Sequence, residues 1–186
     1  MWYTYDDGSS LCAYKYEYTS YGQLSKIVDN LSGKTTVYSY DSNHRIISNG
    51  RYDSEEYELY SNEYAYDALS RISRVNTQIG YSVGNNQDYL SLIQEYGYSN
   101  NGLLGTFKTC GASIGYSYDS LNRYTNKTVS YADSGSTPTY TNEISYSYKP
   151  SSHFVDEYKN KINGTTTSIF NYWYDSKGNI TKITDN

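Results

Sequence analysis

The stretch Tyr64-Ala65-Tyr66-Asp67-Ala68-Leu69-Ser70-Arg71-Ile72 reads as a strand, a tight turn and the start of a returning strand. Residues two apart on a strand share a face, so Tyr64 and Tyr66 point together and Ala65 points away. Asp67 suits the first position of a type I turn, because its carboxylate can accept backbone N–H groups further along. The phrase recurs. Tyr38-Ser39-Tyr40-Asp41 leads to Arg45-Ile46, Tyr116-Ser117-Tyr118-Asp119 to Arg123-Tyr124, and Tyr172-Trp173-Tyr174-Asp175 to Asn179-Ile180. Weaker copies open at Tyr3, Tyr16, Tyr96 and Tyr146, which makes eight at a mean step of about 24 residues. A unit of this size cannot bury a face alone and must stack on its neighbours.

Three positions after the Asp stand Gly22, His44, Ser70, Gly102, Asn122 and Gly178. A three-residue hairpin with a bulge needs positive φ there, which glycine and asparagine accept most easily. This turn sets Asp41 against Arg45, Asp67 against Arg71 and Asp119 against Arg123, as exposed pairs on the wet face. The second tyrosine then opposes the aliphatic: Tyr40 with Ile46, Tyr66 with Ile72, Tyr174 with Ile180. Ile27, Val75, Phe107 and Ile183 follow at an odd offset that alternation does not explain, so a bulge or strand end must intervene. A looser return is expected to lead to the next unit.

The pattern resembles the YD repeat, also called the RHS repeat, of large bacterial surface and toxin proteins and of the animal teneurins. The resemblance covers essentially the whole chain. It implies an all-β fold of consecutive antiparallel β-hairpin repeats forming a curved or spiralling, YD-shell-like sheet, with residues 1–186 as a single array. It also implies a secreted or cell-surface protein, whose shell encloses a toxin in some members. Unit two carries Thr19, unit five Ser99 and unit seven Lys149-Pro150 in place of the Asp. The Asp-Pro-x-Gly stretch that closes such shells is missing and no toxin or protease domain is expected, so the natural reading is a segment of shell.

Composition agrees with a sheet of unusual chemistry. Leu, Ile, Val and Phe make up under about a fifth of the chain, a level that can signal disorder. The net charge is only −5, however, and 27 tyrosines supply apolar area at alternating positions. Mild acidity with no basic stripe argues against nucleic acid, and no run of 18 apolar residues is present to span a membrane. The Met1-Trp2-Tyr3-Thr4 start enters a repeat at once and lacks the regions of a signal peptide.

Candidates for chemistry are few. Cys12 and Cys110 lie 98 positions apart, with no second ligand at metal spacing, and read as two separate buried thiols. His44 and His153 occupy turn positions, and a chance Ser–His–Asp set carries no weight among so many serines. Asp53, Glu55, Glu56 and Glu58 lack calcium-loop spacing and read as a solvated strand face or a guarded sheet edge. The four Asn-x-Ser/Thr matches, at Asn30, Asn126, Asn163 and Asn179, read as accidents of a chain rich in Asn, Ser and Thr, and most belong to local turn chemistry. Trp173 is the outlier, because seven of the eight in-between positions are small or polar. It reads as a contact for a neighbouring unit or a platform for a sugar ring, and Trp2 invites the same pair of readings.

The expectation is therefore a non-enzymatic structural repeat module without cofactor or metal, a segment of an RHS-like shell serving toxin encapsulation or display. Its partners would be neighbouring repeats, or other copies through edge strands. The alternative is a glycan-binding or adhesive tyrosine-rich domain.

Overall fold

A computed structural model describes residues 2–4, 6–8, 10–83, 86–132 and 137–186, with the backbone alone at 2, 3, 82, 83, 86 and 87. The protein is all-β, and no helix occurs among the described residues. A short hairpin of β1 (Trp2–Thr4) and β2 (Ser10–Cys12) stands apart as a two-stranded sheet. The other fourteen strands pair antiparallel in chain order. They are β3 (Tyr14–Tyr18), β4 (Leu24–Asp29), β5 (Lys34–Tyr40), β6 (Ile46–Tyr52), β7 (Glu58–Tyr66), β8 (Ile72–Val83), β9 (Asn86–Tyr98), β10 (Leu104–Thr109), β11 (Ala112–Tyr118), β12 (Tyr124–Tyr131), β13 (Tyr140–Tyr148), β14 (Val155–Ile162), β15 (Thr165–Tyr174) and β16 (Ile180–Asp185). By contacts the chain divides into two compact units, residues 1–94 and 95–186. Both are built from the same hairpin.

The hairpin turns close where the motif requires. Asp41 N–H donates to the Arg45 carbonyl at 2.9 Å, and His44 N–H to the Asp41 carbonyl at 3.0 Å. The same pair of bonds recurs from Thr19, Asp67, Ser99, Asp119 and Asp175. The third residue after each of these carries positive φ, including the non-glycines His44 (63°), Ser70 (63°) and Asn122 (60°). A non-glycine residue that accepts this strain in turn after turn is held there by the turn's bonds rather than by its own preference.

The odd aliphatic offset resolves as a bulge. Tyr66 opposes Ile72 while Tyr64 opposes Val75, with the register shifting between Ala65 and Tyr66 so that Ser73 is the extra residue. The same shift falls before Tyr18, Tyr40, Tyr118, Tyr148 and Tyr174. One inserted residue lets both the aliphatic next to the turn and the later one reach the tyrosine face.

Two of the returns at the other end are tighter than the sequence reading expected, while Asp29 and Lys34 pair across a looser four-residue return. Thr109 pairs directly with Ala112 across Cys110 and Gly111, whose φ values are 38° and 77°. Asn163 and Gly164 have φ of 48° and 80° between Ile162 and Thr165. Positive φ at both central residues is the type I′ geometry, whose twist matches that of the strands it joins.

Ala13, at 2% exposure, is the one fully buried hydrophobic side chain among the described residues. The motif tyrosines from Tyr38 onward are half-buried rather than enclosed. Tyr38, Tyr40, Tyr64, Tyr66, Tyr96, Tyr98, Tyr116, Tyr118, Tyr146, Tyr148, Tyr172 and Tyr174 are all in this state, while Ser39, Ala65, Ser117 and Ser147 between them are exposed. The facing pattern follows the alternation. Its depth is that of a single sheet.

Candidate functional site

The recurring constellation is a staple that joins each hairpin to the next, and it begins with the turn aspartate. In the Asp41 turn, Oδ1 accepts the backbone N–H of Asn43 and of Arg45, both at 2.9 Å, and Oδ2 accepts Arg45 Nε at 2.7 Å. Asp67 and Asp119 repeat the arrangement with Leu69 and Arg71, and with Leu121 and Arg123. Arg45 and Arg71 also bring a second nitrogen, Nη2, to the same carboxylate at 2.7 Å. The backbone N–H of Arg45 and of Arg71 chiefly hold the Asp41 and Asp67 carboxyls below the ordinary range. Asp175 is held down first by the Asn179 side-chain amide, which replaces the guanidinium at 2.9 Å.

The expectation of exposed Asp–Arg pairs on the wet face is corrected here. The Arg45 and Asp41 side chains are only 27% and 19% exposed, because Arg45 sits over the ring of Tyr66 in the next hairpin, its Cζ 4.3 Å from the centroid. Arg123 covers Tyr148 in the same way at 4.5 Å. Each arginine also reaches the next turn: Arg45 Nη1 donates to Ser70 Oγ at 3.0 Å, and Arg123 Nη1 to the Ser152 carbonyl. A delocalised, planar cation can bond a carboxylate at its edge and stack by its face at once, which lysine cannot do.

The second tyrosine closes the staple. Its hydroxyl donates to the carbonyl of the residue that opens the previous return strand. Tyr40 reaches Leu24 at 2.7 Å, Tyr66 reaches Ile46 at 2.7 Å, Tyr118 reaches Leu104 at 3.0 Å, Tyr148 reaches Tyr124, and Tyr174 reaches Val155 at 2.9 Å. The first tyrosines serve the face itself: Tyr38 opposes Asn49, Tyr172 opposes Ile183, Tyr64 donates to Asn49 Oδ1 at 3.1 Å, and Tyr116 tilts against Tyr124.

Units that depart from the motif keep the staple by other chemistry. The turn at Lys149 is one residue longer, closing from Lys149 N–H to the Phe154 carbonyl at 2.9 Å. Phe154 thereby takes the arginine's place and stacks on Tyr174, 4.8 Å between centroids at 19°. Gln23 stands at the arginine position of the Thr19 turn and donates to the His44 carbonyl of the next turn at 3.0 Å. Gly178 is required twice over. Its φ is 86°, and a Cβ there would meet the Phe154 ring at 2.7 Å.

Asp53 heads a turn that sequence reading missed. Its N–H donates to the Tyr57 carbonyl, its Oδ1 accepts Glu55 and Tyr57 N–H, and Glu56 sits at φ 64°. The acidic run is thus mostly a turn rather than a strand face. Tyr52-Asp53 with Tyr57 four residues on was the available signal, hidden because Gly50 stands where a first tyrosine would be.

The remaining candidates are dispersed. Cys12 and Cys110 are free, and Cys110 is exposed in a turn rather than buried. His44 faces Tyr21 edge-on at 4.8 Å and meets Gln23 Oε1 through Nδ1 at 3.2 Å, while His153 is exposed. Among the described residues no group of three His, Cys, Asp or Glu could hold a metal, and no helix is long and apolar enough to cross a membrane. Trp173 is 40% exposed, with Lys182 Nζ 4.9 Å and Lys149 Nζ 5.9 Å from its ring. The Trp2 side chain lies outside the described residues; its backbone pairs with Cys12. No family model matches the chain, and a search of curated proteins finds no match.

Proposed function

We propose that this chain is a non-enzymatic structural module, a segment of an RHS-like β-shell on a secreted or surface-displayed bacterial protein, serving to enclose or display a cargo. The observation that carries this reading is the hydroxyl-to-carbonyl staple repeated between successive hairpins from Tyr40 to Tyr174. Its chemistry depends only on a tyrosine, a turn and a carbonyl, so it can be extended unit by unit without a specialised site. Conserving the link while swapping Arg123 for Phe154 and Gln23 is what a scaffold tolerates and a catalytic centre does not. A wet face of tyrosine, serine and asparagine would hold a polar cargo without an oily wall. Fractionation of the source cells with an antibody to the chain tests the placement. The expected signal is in the medium or at the cell surface, and a purely cytosolic pool would overturn it.

The second reading is glycan binding, favoured by one feature of the surface. Tyr21, Tyr38, Tyr40, Gln23 and Asp41 line an open cleft of about 390 Å³, a volume that suits a sugar ring. Titration with cell-wall polysaccharides separates the readings. Saturable binding that Tyr21→Ala abolishes would favour the glycan.

A further inference from the structure

We propose, resting on the glycan reading of the cleft between the Thr19 and Asp41 turns, that this cleft takes one ring of a neutral saccharide. The ring would lie on Tyr40 and bond through its hydroxyls to His44. Both walls belong to neighbouring hairpins within residues 1–94, so the cleft is internal to the array. It exists because one residue departs from the motif. At later junctions Arg45 covers Tyr66, Arg123 covers Tyr148 and Phe154 covers Tyr174. Gln23 stands at the arginine position here, and its amide turns to His44 instead. Among the described residues no cation or second ring lies over Tyr40, whose hydroxyl is held by the Leu24 carbonyl at 2.7 Å. A pre-set, uncovered ring thus lines an open volume of about 390 Å³, with Tyr21 also on its wall.

The groups left over in the cleft define the ligand. Gln23 fixes the tautomer of His44: Gln23 Nε2 donates to the His44 carbonyl at 3.0 Å, so the amide oxygen is what meets His44 Nδ1 at 3.2 Å. An oxygen of this kind only accepts, so in the neutral imidazole Nδ1 carries the proton and Nε2 presents a bare lone pair. That Nε2 has no partner among the described residues. The Thr19 hydroxyl and the Asp41 carboxylate are engaged within their own turns, while the lining hydroxyls of Ser20, Ser39 and Ser42 have no partner among the described residues. The spare set can donate to and accept from hydroxyl groups, and no lysine or arginine stands among the lining residues. A uronate or a phosphorylated sugar would meet one carboxylate and no cation, leaving its own charge unpaired. A neutral pyranose brings O–H donors to Nε2 and an apolar C–H face to the tyrosine ring.

Two measurements on the 186-residue chain test this. Long-range proton–nitrogen spectra at about pH 8, where histidine is neutral, should show His44 as the Nδ1–H tautomer, and an Nε2–H form would overturn the proposal. Calorimetric titration with neutral glucan, mannan and galactan oligosaccharides should give saturable binding of at least one, and polygalacturonate should give none. Thr19→Asp combined with Gln23→Arg rebuilds the motif turn and lays a guanidinium over Tyr40. It should keep the fold by far-UV circular dichroism and abolish binding. His44→Asn suits the backbone, since Asn122 holds the same turn position at φ 60°, and should weaken binding about three- to tenfold, the worth of one hydrogen bond. Undiminished binding in either variant would overturn the site. Binding of polygalacturonate that Tyr21→Ala abolishes would overturn the neutral class and leave the glycan reading standing, whereas no binding of any of these saccharides would overturn both.

Discussion

The two compact units use one hairpin and both link their strands through polar side chains, but the second adds a run of ring contacts across its strands. In residues 1–94 the cross-strand row is polar. Asn62 Nδ2 donates to Asn49 Oδ1 at 3.3 Å, Thr77 Oγ1 to Asn62 Oδ1 at 2.7 Å, and Ser91 Oγ to Asn76 Oδ1 at 2.9 Å. In residues 95–186 a polar row persists, with Asn142 Nδ2 donating to Asn160 Oδ1 at 2.7 Å and Asn160 Nδ2 to Thr167 Oγ1 at 3.0 Å, and an aromatic row is added to it, running Tyr118, Tyr124, Tyr146, Tyr158 and Phe170 with successive centroids 5.4–6.1 Å apart. The turns and staples are shared, so the repeat fixes the strand order while the residues between the motifs are free to differ. With its side chains mostly half-buried, the sheet draws cohesion across its strands from these rows. A ring removes apolar area from water on both of its sides, whereas an amide row returns only the small net gain of each hydrogen bond.

The largest expected effect follows from that contrast. Tyr124→Ala, which removes the ring that meets Tyr116, Tyr118 and Tyr146, should cost on the order of 3 kcal/mol in urea unfolding, and Asn62→Ala about 1 kcal/mol. Equal losses would mean that the two rows do the same work. Alkali sharpens the comparison. Burial, followed by the neighbouring Tyr146, pushes the Tyr124 hydroxyl up to about 12, above its unfolded value near 10. The folded state therefore resists deprotonation, and Tyr124's contribution is complete below about pH 10 and lost as pH rises through 12. Denaturation midpoints followed across that window should fall, and Tyr124→Phe should flatten the fall.

Next in size is the turn. Asp67→Asn should be milder than Asp67→Ala, since an amide oxygen still accepts the N–H groups of Leu69 and Arg71. Because the carboxyl is held below its ordinary range, its stabilisation is present above the unfolded value and is lost as pH falls through the folded one. Acid titration of the natural chain and of Asp67→Asn should converge at low pH. Divergence there would sink the assignment. For the arginine, Arg45→Lys should keep the charge but lose the stacked fork, and a double-mutant cycle with Tyr66→Leu should return a coupling of about 0.5–1 kcal/mol.

Much of this was readable in the residues. The Tyr-x-Tyr alternation gave the facing of Ser39 and Ala65, and the Asp with a glycine or asparagine three on gave the turns. The displaced Ile27, Val75 and Ile183 signalled the bulge. What stayed hidden was contact between units. Arg45 looks like the partner of Asp41 because both lie in one short phrase, yet its second face covers a tyrosine 21 positions later, at Tyr66. No local pattern marks that. Phe154 was hidden for the same reason, since an extra residue in its turn moves it off the motif's count. Cys110 was read as buried because free cysteines commonly are, but Cys110-Gly111 is a two-residue turn, where exposure follows from the tightness of the return.

The smallest effect gives the finest test, because it compares one tyrosine hydroxyl in two positions. Inside the array, Tyr66 donates to the Ile46 carbonyl at 2.7 Å, and Arg45 shields that bond by lying over the ring. Tyr66→Phe removes the donor and nothing else, so it should cost about 0.5–1.5 kcal/mol. Tyr18 has the same place in its own hairpin, opposite Leu24 after the same bulge, but it is 61% exposed and among the described residues its hydroxyl meets no carbonyl. Tyr18→Phe should leave the urea midpoint of the dilute chain unchanged, within the scatter expected of a surface change. If both variants lost the same stability, the hydroxyl would act within its own hairpin, and the staple between units would have to be abandoned. If only Tyr66→Phe loses it, the motif's second tyrosine earns its place by joining one repeat to the one before.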